Sequence, residues 1–186
     1  MADELTEKEI EYLLLLLLST SKKKSLSHLH IQKEMFLLRD VTKAIQPLFH
    51  FIKHFRGPFS KDIKEALSYP MYLDKHWIYK NSNDKLTGGY IELTKEGETE
   101  GKKLIKKILE KRNDKLNHIM AAMNLLHDLY DNLTPEELLY IIYKSPKYKE
   151  YTEKSIVYKD ILESDAKERL KQKFLKDIDR DLVYSE

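Results

Sequence analysis

The sequence contains no cysteine and few glycines or prolines. Its 186 residues include no Cys, 5 Gly and 5 Pro. The absence of cysteine excludes disulfides, thiolate metal ligands and a cysteine nucleophile, and it favours a reducing compartment. The scarcity of glycine and proline is typical of a mainly helical chain.

The sequence also lacks a long apolar run. The longest, residues 12–18, is far shorter than the roughly 18 residues of a membrane-spanning helix. Glutamates at positions 7, 9 and 11 precede it, whereas a signal peptide begins with positive charge. We therefore expect a cytoplasmic protein without membrane contact. Leucines 13–18 would make a helix apolar on every side, which indicates either a central core helix or a subunit interface.

Neither sign of charge predominates in the chain. Lys and Arg number 33, against 31 Asp and Glu, which gives a net charge of +2. A nucleic-acid-binding domain usually carries an excess of positive charge. Any contact with DNA would therefore depend on local clusters of basic residues.

Capping signals predict two helices near the start of the chain. Thr6 and Glu9 form a capping box, which opens a first helix that continues to about residue 18. A polar segment then leads to Ser25 or Ser27, either of which is suited to cap a second helix.

Two short elements are expected after the second helix. The aromatic segment 48–55 is compatible with either a short strand or a helical turn, and Gly57-Pro58 ends it. Ser60 then caps a helix of little more than two turns, which Pro70 limits. The expected apolar face of this helix consists of Ile63, Ala66 and Leu67.

A β-hairpin is expected next. Segments 76–79 and 89–93 are rich in strand-forming residues, and the polar segment 81–88 between them is rich in turn-forming ones. Helix, helix, short helix and hairpin is the order of a winged helix-turn-helix domain with the hairpin as its wing. We therefore expect a mainly α fold with a winged-helix domain at residues 1–96.

Residues 97–186 are expected to form a helical extension that packs on the first domain or forms a dimer interface. Its helices are expected to follow Thr94, the break at Asn113 and Asp114, the capping box of Thr134 and Glu137, Ser155 and Ser164. Its expected buried stripes are Leu104, Ile105, Ile108 and Leu109 on the first of these helices and Leu170, Phe174, Leu175 and Ile178 on the last.

Three elements of the sequence resemble a known family. They are Gln32-Lys33 with Phe36-Leu37-Leu38, Gly57-Pro58-Phe59-Ser60 with Ile63 and Leu67, and Tyr90-Ile91-Glu92-Leu93-Thr94 with Gly97. With these elements the chain resembles the YwgA-type winged-helix proteins, and more remotely it is similar to the SocA-type antitoxin domain, also called Panacea. The resemblance covers roughly residues 25 to 100 and implies a fold more than an activity.

The short helix after Ser60 has the place of a recognition helix in such a fold. The side chains expected to contact nucleic acid are Lys61, Lys64, Ser68, Lys75, Lys80 and Lys85. Lysines neutralise phosphates, and hydroxyl groups donate hydrogen bonds to them. The sequence therefore favours a winged-helix DNA-binding transcriptional regulator that binds duplex DNA as a homodimer.

A second interpretation is a non-enzymatic protein-interaction module of antitoxin-like type that binds a protein partner without DNA. It is motivated by the nearly balanced charge of the short helix and by a group of tyrosines in the extension. These are Tyr140, Tyr143, Tyr148 and Tyr151. Tyrosine is enriched at interfaces, although core packing explains some of them equally well.

We expect no metal and no cofactor. The two histidine pairs with ligand-like spacing are His28 with His30 and His50 with His54. Neither pair is accompanied by an identifiable third ligand. His118 and His127 are expected to be packed or exposed side chains of a helix.

The sequence does not favour an enzyme. Gly97 with Gly101-Lys102 approaches the phosphate-binding loop pattern, but it is one residue short and lacks the Ser or Thr that would meet magnesium. No nucleophile-elbow pattern is present either.

Overall fold

The structure, a computed structural model, describes residues 2–111 and 113–183, and the side chains of residues 6–111 and 113–176. The fold is mainly helical with a small antiparallel sheet. The helices are α1 (Ala2–Thr20), α2 (His28–Val41), α3 (Lys61–Ser68), α4 (Lys95–Glu110), α5 (Asp114–Tyr130), α6 (Pro135–Lys144), α7 (Tyr158–Glu163) and α8 (Ala166–Val183). The strands are β1 (Ser25–Ser27), β2 (Ile52–His54), β3 (Gly57–Phe59), β4 (Trp77–Lys80) and β5 (Tyr90–Leu93). The segments Lys43–Leu48 and Pro146–Thr152 form 3-10 helices.

The three-stranded sheet contains the expected hairpin. Its strand order is β1-β5-β4, and both pairings are antiparallel. Ile91 stands opposite Leu26 on one side and Tyr79 on the other. The hairpin prediction is confirmed, and the aromatic segment 48–55 contains the short strand β2, which pairs with β3.

The chain divides into two compact units. The first contains residues 1–52 and 58–132, and the second contains residues 53–57 and 133–186. The division falls near residue 132, whereas the sequence pattern predicts it at residue 96. Helices α4 and α5 belong to the first unit because both pack against α1.

The helix starts are largely where the capping signals put them. The hydroxyl oxygens of Ser27, Thr94 and Thr134 accept hydrogen bonds from the backbone N–H groups of residues 30, 97 and 137. These three N-caps are confirmed, and Thr134 and Glu137 form the expected capping box. The prediction that Thr6 and Glu9 begin the first helix is wrong, because α1 already starts at Ala2.

Helix α1 is the centre of the first unit. Leucines 13–18 are all buried within the chain, with exposed fractions of 8% or less. The helix packs against α3, α4 and α5, so its apolar sides face three different neighbours. The core interpretation of the leucine run is therefore confirmed.

Two glycines allow α4 to lie close to its neighbours. A Cβ atom at Gly97 would lie 1.9 Å from the carbonyl oxygen of His76, and one at Gly101 would lie 1.9 Å from Oγ of Ser19. These positions explain the resemblance to a phosphate-binding loop, since the glycines serve helix packing. They also explain why a glycine follows the Thr94 cap at position 97.

Both of the buried stripes expected from the sequence, on α4 and on α8, are wrong in part. Ile108 is buried, but Leu109 is 57% exposed because it lies roughly 100° further round the helix than the side facing Gly97 and Gly101. On α8, Leu170 is buried, whereas Phe174 and Leu175 are 49% and 61% exposed. The side chain of Ile178 lies outside the described residues. The helix expected at Ser155 begins instead at Tyr158.

Two of the sequence segments singled out above, Gln32-Lys33 and Gly57-Pro58-Phe59-Ser60, contact each other. The amide of Gln32 bonds the backbone of Ser60, and the ammonium of Lys33 donates a 2.7 Å hydrogen bond to the carbonyl of Pro58. Gln32 and Lys33 are each only 2% exposed. The Gly-Pro-Phe-Ser segment is thus fastened to α2, which fixes where α3 begins.

Candidate functional site

Helix α3 presents two chemically different exposed sides. Ile63 and Leu67 point into the core, as expected from the sequence, whereas Ala66 is only half-buried. The 100° rotation per residue places Lys61, Lys64 and Ser68 on one exposed side and Asp62, Glu65 and Ala66 on the other. Lys61 lies 3.3 Å from the carboxylate of Glu65, at the boundary between the two sides. Only one side of α3 is therefore suited to phosphate.

The lysines expected on the hairpin differ in their surroundings. Lys80 forms an ion pair with Glu92, and Lys24 lies 3.3 Å from the same carboxylate. Hydrogen bonds from these two lysines hold the pKa of Glu92 below its usual range. Lys75 and Lys85 are exposed, and neither has an ion-pair partner among the described residues. Of the five lysines expected to contact DNA, Lys61 and Lys80 are therefore paired with carboxylates.

A groove of about 630 Å³ lies against the acidic side of α3. Its lining residues are Thr6, Glu7, Ile10, Glu11, Pro47, Leu48, His50, Asp62, Glu65, Ala66, Tyr69 and Met71. Four of these are carboxylates, and none is a lysine or an arginine. The groove therefore combines an acidic rim with apolar side chains.

One wall of the groove is held in place by a buried carboxylate. The Glu11 oxygens accept hydrogen bonds of 2.6, 2.9 and 2.7 Å from the backbone N–H groups of Met71, Tyr72 and Leu73. Glu11 is only 2% exposed, so its charge is used in fixing this loop. The loop presents Met71, which is 71% exposed, and the neighbouring Tyr69 is 81% exposed.

A second polar cluster is buried in the same unit, where α2 meets α5. Nδ1 of His127 lies 2.9 Å from Oδ1 of Asp131 and 3.2 Å from Oε2 of Glu34. Nε2 donates a 2.9 Å hydrogen bond to the carbonyl of Leu17. Oδ2 of Asp131 accepts a 2.8 Å hydrogen bond from the hydroxyl of Ser21. Glu34, His127 and Asp131 are each 4% exposed or less. We call these three residues the buried triad.

The buried triad has strongly altered proton affinities. Burial alone would lower the pKa of His127, but hydrogen bonding to Asp131 and the charge of Glu34 outweigh burial and raise the pKa to about 10. Burial holds the pKa of Glu34 above its usual range. Burial opposes ionisation of Asp131 too, but hydrogen bonds from His127 and Ser21 keep its pKa below the usual range. Without a bound ion, the triad therefore holds a proton between imidazole and carboxylates.

Sequence reasoning missed the buried triad. His127 and Asp131 stand four residues apart on a helical segment, which is a visible signal for a shared face. Glu34 carries no such signal, because it comes from α2 and meets the other two only in the folded chain. The histidine itself is packed, whereas His118 is exposed.

The histidine pairs considered from the sequence have other surroundings. The ring of His28 lies 6.3 Å from that of Phe59, and the ring of His54 lies 4.8 Å from that of Phe55. His50 is exposed and lines the groove. His30 is buried, with Nδ1 2.8 Å from the hydroxyl of Ser27.

The second unit has a polar cluster of its own. Glu137 is fully buried on α6 and pairs with Arg169 and Lys173 of α8. Burial disfavours its charge, but the Lys173 ammonium holds the pKa of Glu137 below its usual range. This cluster joins α6 to α8.

Of the four tyrosines expected at an interface, Tyr143 is buried and bonds Ser155 at 2.7 Å, and burial raises its pKa to about 12.

Within residues 2–111 and 113–183, no helix is both long enough and apolar enough to cross a membrane. Comparison with protein-family models and with curated proteins finds no match for this sequence.

Proposed function

We propose that this chain is a non-enzymatic protein-interaction module that binds a cationic, partly apolar segment of a partner protein in the α3 groove. The observation that carries the proposal is the composition of the groove, where three surface carboxylates and the buried Glu11 line one concavity that no lysine or arginine lines. Electrostatic complementarity of this kind selects partners and speeds their association.

The groove offers both of the contacts that such a segment needs. Glu7, Asp62 and Glu65 supply surface carboxylates for lysine or arginine side chains. Tyr69 and Met71 are large, exposed side chains of the types enriched at interfaces. Since Glu11 fixes the loop that carries Met71, part of this surface is ordered before a partner arrives.

The same groove disfavours nucleic acid beside α3. Phosphates that approached Lys61 would also approach Glu65, which is paired with it and lies toward the acidic side. The resemblance to the antitoxin domain is consistent with protein binding by this fold, and the order of helices and strands supports a winged-helix architecture.

Binding of a labelled peptide tests the proposal. The probe is a fluorescein-labelled amphipathic peptide of lysine and leucine, and the control peptide replaces each lysine by glutamate. We expect anisotropy to report salt-sensitive binding of the first peptide only. Glu65→Lys is expected to weaken binding by about tenfold, because one attraction becomes a repulsion.

Glu110→Lys is the matched control. Like Glu65, Glu110 is an exposed helical glutamate paired with a lysine four residues earlier, Lys106, but it lies outside the groove. It should bind the basic peptide like the unmodified chain. Equal weakening by both changes would show that only net charge matters, which would contradict the groove as the binding site.

DNA binding is a second candidate, favoured by a specific observation. Lys64, Lys75 and Lys85 are exposed on α3 and around the hairpin, and no described residue forms an ion pair with them. In this case the chain is a winged-helix regulator and pairs into a homodimer through helices after Thr94, where Leu125 and Leu129 are exposed one turn apart on α5. Each lysine changed to alanine should then lower the slope of log affinity against log salt by about 1.

A further inference from the structure

We propose that the buried triad of Glu34, His127 and Asp131 is a binding site for one divalent transition metal, and that zinc is the ion it fits best. The proposal is independent of the groove, because no member of the triad lines it.

The donor atoms are already close enough to share one ion. One oxygen from each carboxylate and Nδ1 of His127 all lie within 4.8 Å of one another, and Nδ1 is 2.9 and 3.2 Å from the two oxygens. Zinc binds histidine nitrogen and carboxylate oxygen at roughly 2.0–2.2 Å, which separates its ligand atoms by about 3.3 Å in a tetrahedral site. Small side-chain rotations therefore suffice to bring three ligands onto one zinc.

The surrounding hydrogen bonds orient the ligands as metal sites require. Leu17 offers a carbonyl oxygen, which can only accept, so Nε2 of His127 must carry a proton. This leaves Nδ1 as the ring atom able to bind a metal once its own proton is displaced. The hydroxyl of Ser21 donates a hydrogen bond to Oδ2 of Asp131. This bond fixes the carboxylate so that its other oxygen, Oδ1, faces Nδ1 of the imidazole.

Glu34 supplies an independent observation. It is completely buried, and neither carboxylate oxygen accepts a well-aligned hydrogen bond from the described residues. Oε2 lies 3.2 Å from Nδ1 of His127, but that nitrogen lies closer to Asp131, at 2.9 Å. A buried carboxylate that is not fully hydrogen-bonded is costly, and native structures compensate nearly all such groups. A cation between Glu34 and Asp131 would provide the missing partner.

The ligand set and the position of the triad favour zinc. One imidazole with two carboxylates suits zinc, whereas magnesium and calcium prefer six or more oxygen ligands. Three protein ligands leave a fourth position for water. The triad is near the surface on the side of Ser21, because Ser21 bonds Asp131 and is only half-buried, and the next residue, Lys22, is exposed.

Calorimetric titration of the EDTA-treated full chain with ZnCl₂ tests the proposal, with MgCl₂ as the comparison ion. We expect one zinc per chain and no comparable magnesium binding. Glu34→Gln keeps the size of the side chain and removes its charge, and it should lower zinc affinity at least about 100-fold, the upper end of the loss from removing an outer-shell partner. His118→Gln, which changes an exposed histidine on the same helix, should leave zinc affinity unchanged.

Two results would overturn the proposal. One is the absence of stoichiometric zinc binding by the unmodified chain. The other is equal zinc affinity in the Glu34→Gln and unmodified chains, because zinc would then be held by surface histidines. X-ray absorption of the unmodified zinc complex needs no variant, and it should show a single imidazole nitrogen with oxygen ligands. Two or more imidazoles would likewise contradict the site.

Discussion

Gln32 and Ser60 exchange two hydrogen bonds of 2.8 Å each, with the Gln32 amide donating to the Ser60 carbonyl and accepting from the Ser60 N–H. Both residues are buried. Gln32→Leu would leave the buried Ser60 N–H without a partner, whereas the Ser60 carbonyl would keep its 3.3 Å hydrogen bond from the Lys64 N–H. We expect the substitution to lower the free energy of unfolding by about 2 kcal/mol. Urea denaturation measures this change.

Gln46→Leu is the control for this prediction, because Gln46 is exposed. Its effect should stay within about 0.5 kcal/mol. Similar losses for the two variants would contradict the role that we give to the Gln32 amide.

Replacing Gly97 by alanine should destabilise the chain, although alanine is the better helix former. The added Cβ would meet backbone atoms of His76, which cannot rotate away, so we expect a loss of about 1–3 kcal/mol in thermal or urea unfolding. Thr99→Ala, at an exposed position of the same helix, should change stability by less than about 0.5 kcal/mol. A stabilising Gly97→Ala would contradict the close packing.

Glu11→Gln should both destabilise the chain and loosen one wall of the groove. The amide nitrogen of glutamine would face backbone N–H donors in place of a carboxylate oxygen, so a loss of about 2 kcal/mol is expected. Binding of the lysine and leucine peptide should weaken as well. Glu9→Gln, two residues earlier and exposed, is the control and should leave both quantities unchanged. Weaker peptide binding by both variants would contradict the role of Glu11.

The stability of the metal-free chain should fall in alkaline solution. Folding raises the pKa of His127 from 6.5 to about 10, so its contribution is complete below pH 6.5 and is lost as the pH rises through about 10. Glu34 also has a raised pKa, so it adds to this decline. Asp131 has a lowered pKa, so its contribution to stability is lost only as the pH falls into the acid range.

His127 alone contributes a slope of at most about 1.4 kcal/mol per pH unit to this decline. Urea denaturation with EDTA at a series of pH values measures it for the unmodified chain and for the His118→Gln control, which should behave alike. Stability that does not change between pH 6.5 and 10 would contradict the protonated His127.

Local signals in the sequence predicted the helix starts and the hairpin better than the burial of individual side chains. The Ser27, Thr94 and Thr134 caps depend on neighbouring residues alone, so they could be read directly. The Thr6 box failed because α1 extends one turn further back. The exposure of Leu109 could not be predicted from neighbouring residues. The buried side of α4 is the one on which Gly97 and Gly101 contact His76 and Ser19, which are distant in the sequence.

The candidate sites were harder to predict for the same physical reason. The lysines of α3 were visible in the sequence, but the groove depends on α1 and on residues 47–50, which the fold brings next to Asp62 and Glu65. Likewise, Glu34 meets His127 only through the packing of α2 against α5. The balanced charge of α3 in the sequence indicated a weak contact with DNA. That Asp62 and Glu65 of α3 face the groove could be seen only in the structure.

The most direct test of the proposed function is an amide chemical-shift titration of the isotope-labelled chain with the lysine and leucine peptide. We predict that the largest shifts fall on groove residues, namely Glu7, Asp62, Glu65, Tyr69 and Met71. An equal concentration of duplex DNA should not shift the resonances of these residues. Shifts confined to Lys75, Lys80 and Lys85, or shifts at the groove only with DNA, would contradict it.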